Sequence, residues 1–492
     1  MRTNSHRLLY TILVVLIAAG ACAAILLIGV FVATNLRPTA TQVTPSVVRL
    51  SPTPLGQKSA SPTTASTSTP TLAPGIEPSP VPSQAQPQPS PTAQPVPPEI
   101  AQSMDTIQQQ VIAIRGLQPS GPVQRELLTP AQLQQKVDTD FFKDYSPQDA
   151  HNDESILNLF GLLPAGFDLY SFTKSLYAEQ IAGYYDNETR QMYVVTGQGF
   201  KGPERLTYAH EYTHALQDQN YGIRDGLQYS TEKCKETSER CAGIQALIEG
   251  DATVVEQDWL RTASTAADRQ ELQAFYQNYS SPVLDSAPAY LQQDMLFPYR
   301  SGQEFVQSLI DRGGWAAVDQ AYRNLPLSTE QILHPEKYPD DKPVDVTLPD
   351  FSGVLGSGWR QVRSDVLGEW YTYLTLAYGD NPNARLDPTQ AQNAAAGWGG
   401  DRFTVWVNDQ THLSALVLLT RWDSPQDARQ FSDAFSAYGK ARWGDASGQQ
   451  ASLHWESGGQ VNDFRLNGDQ TLWVSSPNPL TSKTLLNLLP LP

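Results

Sequence analysis

Basic residues are scarce in this chain. Its 492 residues carry 34 Lys and Arg against 51 Asp and Glu, giving a net charge of −17 and a pI near 4.8. No basic surface able to follow a phosphate backbone can be assembled against that field, which excludes nucleic acid as a partner. Cysteine is scarcer still: only Cys22, Cys234 and Cys241 occur. There is no CxxC, so a thiolate zinc site lacks its motif. Cys234 and Cys241, with six residues between them in a segment expected outside the cell, are expected to form a disulfide. Closing so short a loop contributes roughly 2 kcal/mol in the chain-entropy picture.

Charge is missing altogether from Leu8 to Leu36, in LLYTILVVLIAAGACAAILLIGVFVATNL. The run is long enough to span a bilayer and too long for the apolar part of a cleaved signal peptide. Arg2 and Arg7 precede it, which predicts a cytoplasmic N-terminus and a single-pass membrane protein with everything after Arg37 outside. The stretch Ala19-Gly20-Ala21-Cys22 lacks the large aliphatic residue three positions ahead of the cysteine that lipid attachment calls for. From Pro38 to Pro98 aromatic residues nearly vanish and Pro, Ser, Thr, Gln and Ala take over. Such a segment buries too little apolar surface to offset chain entropy and reads as a stalk. No internal repeat and no charge run occurs anywhere.

What is present begins at Glu99. An apolar fraction of 40% supports a sizeable core. The expected organisation is 1–36 cytoplasmic N-terminus and transmembrane helix, 37–98 linker, 99–350 a larger folded domain and 351–492 a smaller α+β domain. Within the third segment, two β-rich runs, Gly183–Asp186 and Gln191–Val195, flank Asn187-Glu188-Thr189-Arg190 and predict a hairpin. Pro203 to Asn220 predicts a helix with Pro and Glu in its first turn, and Ala242 to Arg261 predicts another, weakened locally by Gly250. In the fourth segment a helix is expected in DVLGEWYTYLTLAYG, strands in RFTVWVND, LSALVLLTRW, ASLHWES and TLWVSS, and a helix capped by Ser424. Gly397-Trp398-Gly399-Gly400-Asp401 reads as a tight loop with an aromatic anchor.

The chemistry is concentrated in His210-Glu211-Tyr212-Thr213-His214. Two histidines four apart on a helix present two imidazoles to one ion, and the intervening glutamate reaches a water on that ion without ligating it. With only 7 histidines in the chain, such a motif arises by chance about once in two hundred sequences of this composition. Zinc in a catalytic site needs a third protein ligand and an open position. Position 220 is Asn220, so a third histidine at metzincin spacing is absent. Glu249, in the apolar stretch Leu247-Ile248-Glu249-Gly250-Asp251-Ala252, is the best candidate, because a carboxylate on an apolar face needs a partner. Asp251 is either the alternative ligand or a residue orienting a histidine. Glu256 and Asp258 are read as lying in a more polar turn.

The HEYTH motif followed by a glutamate on the next helix resembles the gluzincin branch of zincin metallopeptidases, the group that includes thermolysin. The resemblance covers about residues 178–260. It implies a zincin-like α+β domain, one Zn2+ per chain held by His210, His214 and Glu249, and Glu211 as general base. It also implies that the hairpin 183–195 supplies an edge strand for an extended peptide substrate. The step of 35 residues from His214 to Glu249 is longer than in thermolysin, and no Asn precedes the glutamate.

A developing oxyanion requires a further donor. His334 in the Pro-bounded loop STEQILHPEKYP is the first candidate, with Tyr338 and Tyr299 beside it. The expected function is therefore a membrane-anchored, extracytoplasmic zinc peptidase acting on peptide or protein. Two alternatives stand: a cell-surface binding module with an inactive or structural zinc site, and a zinc hydrolase of a non-peptide amide.

Overall fold

The HEYTH region lies on one helix, and beside it two further helices cross at a pair of glycines. The computed structural model describes residues 96–489 apart from 144, 197–198 and 450. The expected membrane span and nearly all of the expected stalk lie outside the described residues. Among the described residues no helix is long and apolar enough to cross a membrane.

The first helix, α1 (Pro98–Arg115), opens with proline in its first turn and ends at Gly116, whose φ of 81° suits glycine. Strands β1 (Gln124–Leu128), β2 (Gly183–Asp186) and β3 (Gln191–Val195) form a three-stranded sheet in the order β1-β3-β2. β2 and β3 pair antiparallel, as the hairpin reading expects, and β1 adds in parallel to β3. Helix α2 (Gly202–Tyr221) follows, one residue longer at each end than the expected span, with the Glu204 carboxylate accepting from the Lys201 N–H at 3.0 Å. Helix α3 (Ser238–Thr262) starts four residues earlier than its apolar pattern suggests. Its first N–H, on Ser238, is held by the Asp365 carboxylate at 3.1 Å, so the start of α3 is fixed by the distant 351–492 segment. The cysteines 234 and 241 are disulfide-bonded at this end of α3.

Helix α4 (Ala289–Ala321) packs along α3 and is kinked at Gly313 and Gly314. A Cβ on Gly250 of α3 would overlap the Gly302 backbone of α4, and one on Gly302 would overlap Ala246, so the two backbones are in direct contact. The short helix α5 (Thr329–Leu333) then leads to His334.

Beyond residue 350 a seven-stranded antiparallel sheet runs in the order β4-β5-β6-β10-β9-β8-β7. Its strands are β4 (Trp359–Asp365), β5 (Trp398–Asn408), β6 (Leu413–Trp422), β7 (Ser447–Gln449), β8 (Ser452–Ser457), β9 (Gln460–Asn467) and β10 (Gln470–Ser476). Helix α6 (Gly368–Ala377) lies between β4 and β5, and α7 (Pro425–Trp443) between β6 and β7, with Ser424 capping α7 as expected. Helix α8 (Pro479–Leu486) closes the described chain.

Side-chain alternation divides the sheet into two faces. Phe403, Val405, Leu416, Leu418, Phe464 and Trp473 meet Phe431 and Phe435 of α7, while Trp406, Val417, Leu419, Leu472 and Val474 meet Phe351 and Leu485. The first of these cores continues without a break into Ile244, Leu247 and Ile248 of α3. The described residues accordingly belong to one compact unit, in which the 99–350 and 351–492 segments share a core. The architecture is mixed α+β with a seven-stranded sheet. The Gly397–Asp401 stretch is not a free loop. Trp398 opens β5, is fully buried and donates its Nε1–H to Asp401 at 2.7 Å.

Candidate metal centre

The i, i+4 spacing on α2 stacks His210 and His214 with their rings 4.8 Å apart, and α3 brings Glu249 to meet them. Glu249 Oε2 lies 3.1 Å from His210 Nε2 and 3.4 Å from His214 Nε2, and one donor atom from each of the three residues falls within 4.8 Å of the other two. None of these side chains has any exposed surface, and neither has Glu211.

Both imidazoles are oriented from behind. The Glu256 carboxylate lies 2.8 Å from His210 Nδ1, and Gln217 Oε1 accepts from His214 Nδ1–H at 2.8 Å. With each Nδ1 so engaged, each Nε2 is turned toward Glu249. Behind Gln217 stands a second layer. Its Nε2–H donates to Ile248 O at 3.0 Å and to Asp251 Oδ2 at 3.2 Å, and Asp251 is held by Arg115 Nε at 2.7 Å and by the Tyr322 hydroxyl at 2.8 Å. Arg115, buried at the end of α1, has its pKa raised: burial opposes its charge, and Asp251, Tyr322 and Asp319 more than offset that. Asp251 therefore acts behind the histidines, and Glu249 faces them. Glu256 was expected in a polar turn; it is buried instead, because it lies seven residues beyond Glu249 on the same side of α3.

The electrostatics favour a cation. Burial works against charge on the two imidazoles, yet the carboxylates around them raise both pKa values, that of His210 well above its ordinary value. The Glu249 carboxyl is pushed up by burial and brought below its ordinary value by the two histidines. The fit to a metal rests on the atoms themselves. His214 Nε2 has no hydrogen-bond partner, two oriented imidazoles and a carboxylate converge, and the set of nitrogen and oxygen donors is that of a three-ligand zinc site.

Glu211 sits beside this cluster in a different posture. Its Oε2 accepts the Tyr185 N–H of β2 at 2.9 Å, while its Oε1 has no partner. Burial raises its pKa to about 7, the nearby histidines pulling down and Glu249 pushing up. β2 is an outer strand of its sheet, and Gly183 lets it approach Thr207 of α2 where a Cβ would not fit. The outer edge of β2 thus runs along the Glu211 carboxylate.

Two phenols complete the surroundings. Tyr299, on α4 three residues ahead of Gly302, and Tyr229 are fully buried, and burial followed by the Glu249 charge pushes both pKa values well up. Tyr299 lies within hydrogen-bonding reach of Glu249. His334 does not join this group. Its Nε2 is bonded to Glu369 of α6 at 2.9 Å and its Nδ1 faces Glu336 at 3.8 Å. Tyr338 is turned toward Asn324 O at 2.5 Å and packs on Phe305.

A second acidic cluster, Glu330, Asp341 and Asp423, also has its oxygens close together. There Lys337 Nζ lies 2.6, 3.4 and 2.7 Å from the three carboxylates, so the positive charge is already supplied by an ammonium.

Comparison with known proteins reaches only the C-terminal segment that carries the seven-stranded sheet. The chain is similar to a family described as a domain of unknown function (DUF8575) over residues 355–485. No curated protein and no solved structure matches the chain. The matched region contains none of His210, Glu211, His214 and Glu249.

Proposed function

We propose that the chain is a zinc-dependent peptidase of gluzincin type, held at the outer face of a membrane by residues 8–36, with His210, His214 and Glu249 as the metal ligands. The observation that carries this reading is the convergence of those three donors beside a glutamate with one oxygen anchored and the other unpaired. Zinc bound there supplies a Lewis acid for the scissile carbonyl and lowers the pKa of its water to about 7.

The chain's own residues then divide the work. The Tyr185 N–H fixes Glu211 Oε2, which aims Oε1 at the attacking water. Glu211 takes the proton from that water as its oxygen bonds to the carbonyl carbon, and returns it to the amine nitrogen as the C–N bond breaks. Tyr299, beside Glu249, donates its hydroxyl hydrogen to the carbonyl oxygen as negative charge develops there, a position His334 does not share. An extended peptide adds along the outer edge of β2, next to the same carboxylate.

One observation favours the second reading, a structural zinc site. All four polar residues at the centre have zero exposure, so a peptide is admitted only when the walls move. A structural site requires a fourth protein ligand, for which Tyr299, within hydrogen-bonding reach of Glu249, offers an oxygen.

Glu211→Gln separates the two. In a peptidase it retains stoichiometric zinc and loses roughly 100- to 10,000-fold in turnover of a mixed peptide library. Unchanged turnover in that variant would move the base elsewhere. A zinc-loaded parent without peptide hydrolysis, together with loss of zinc from Tyr299→Phe, would assign the ion a structural role.

A further inference from the structure

One buried polar side chain has no part in that scheme. Gln245 of α3 is fully buried, and neither its Oε1 nor its Nε2 has a hydrogen-bond partner. Buried carboxamides are nearly always paired, because leaving both ends unmet sacrifices stability. A metal and its water account for the unpaired His214 Nε2 and Glu211 Oε1; they leave Gln245 unexplained.

Helix geometry fixes where this side chain faces. Gln245 is four residues before Glu249 and eleven before Glu256, one turn and three turns along a single stripe of α3. The other two members of the stripe both touch His210, at 3.1 and 2.8 Å, so the stripe faces the metal centre. Neighbouring faces of α3 are already occupied, with Ala246 and Gly250 against α4 and Gly243 against Ser328. Gln245 therefore lies one helical turn from the ligand carboxylate, on the same wall, offering one acceptor and a donor side by side.

Resting on the peptidase reading, we propose that Gln245 is a substrate-binding residue that pairs with one main-chain amide of the peptide next to the bond that is cut. Its Nε2–H donates to the peptide carbonyl and its Oε1 accepts the peptide N–H. The ligand class is a secondary amide with a free N–H; an ester or an N-methyl amide at that position offers only half of the match.

The test uses the zinc-loaded full chain and Gln245→Met, a substitution of similar volume that removes the unpaired polar atoms. Three probes are titrated: acetohydroxamate, which offers only the metal-binding group; an N-acetyl amino-acid hydroxamate, which adds one peptide group; and its N-methylated form. The parent binds the peptide hydroxamate more tightly than acetohydroxamate, and N-methylation removes much of the gain. Gln245→Met loses roughly 10- to 100-fold in affinity for the peptide hydroxamate, is indifferent to N-methylation, keeps its affinity for acetohydroxamate and for zinc, and melts no lower than the parent. A variant that binds all three probes as the parent does would overturn the proposal, and so would one that loses zinc or acetohydroxamate as well. If Gln245→Met does not fold, Gln245→Glu carries the same comparison, having the same shape and acceptors only. A parent that binds neither hydroxamate would sink the peptidase reading itself, an outcome read without any variant.

Discussion

Beneath the seven-stranded sheet the core is made of rings; between α2 and α3 it is made of ionisable groups. Phe435 of α7 stacks on Phe464 at 4.7 Å between centroids and meets Trp473 at 5.1 Å. Between the helices, two histidines and three glutamates are packed at essentially zero exposure, with donors and acceptors left over. A core of rings stabilises the chain wherever it folds, whereas a core of charges stabilises it only once a cation enters. The region that matches a family model is the first kind, and the region that holds the His–Glu cluster is the second.

The largest expected effect tests the independence of the ring core. Phe435→Ala is expected to cost roughly 3 to 5 kcal/mol in denaturant unfolding, through lost burial and the cavity left behind. Zinc affinity measured on the folded variant should not change. A parallel fall in affinity would show that the two cores are one mechanical unit, joined through the shared packing around Ile244 and Leu247.

Withdrawal of metal probes the other core. With zinc at a thousand times its dissociation constant, chelation is expected to remove about 4 kcal/mol of stability, seen as a fall in Tm. The His210→Ala, His214→Ala double variant should show no zinc dependence of Tm at all. Retained zinc in that variant would dissolve the contrast between the cores.

The smallest effect lies at the seam. Asp294 of α4 accepts from Trp370 Nε1 and the Tyr371 hydroxyl, and Asp401 of β5 accepts from the Leu367 and Gly368 N–H groups. Burial pushes each carboxyl up to about 6 from an ordinary 3.8. The folded chain thus binds more protons than the unfolded one between pH 4 and 6, so their stabilising contribution is present at the acid end and is lost as pH rises through that window. At full effect each group accounts for about 3 kcal/mol. Asp294→Asn should flatten the pH dependence of Tm across that interval, and an unchanged slope would place the titration elsewhere.

The sequence made the three residues of the His–Glu cluster legible because coordination restricts residue type and spacing together. Two histidines at helix spacing with a glutamate between them carry information in five residues, and Glu249 stood out as an acid inside an apolar run. Glu256 and Gln217 were not legible as a site. Gln257, Asp258 and Arg261 give Glu256 a polar neighbourhood, and its partner His210 lies 46 residues away. Gln217 works through an amide that local pattern cannot distinguish from a solvated one. In the fold, strands flanked by clear turns were readable, including both arms of the hairpin at their observed bounds. β1 was not, because QRELL is half polar and is held by a parallel partner more than sixty residues later. β4 and β9 were missed for a similar reason, WRQVRSD and QVNDFRLN being weakly alternating segments whose pairing is decided by their neighbours.

The contact between Gly250 and Gly302 has a meaning best put in the language of machining. Two parts located by a spacer inherit the spacer's tolerance; two parts brought face to face inherit only their own. Side chains between helices are spacers that swap rotamers and compress, and at this crossing there are none. Glu249 is one residue from the contact and Tyr299 three, so the offset between carboxylate and phenol is gauged by peptide geometry. Any larger residue at either glycine is a shim, and it would put the pair out of true without touching either member.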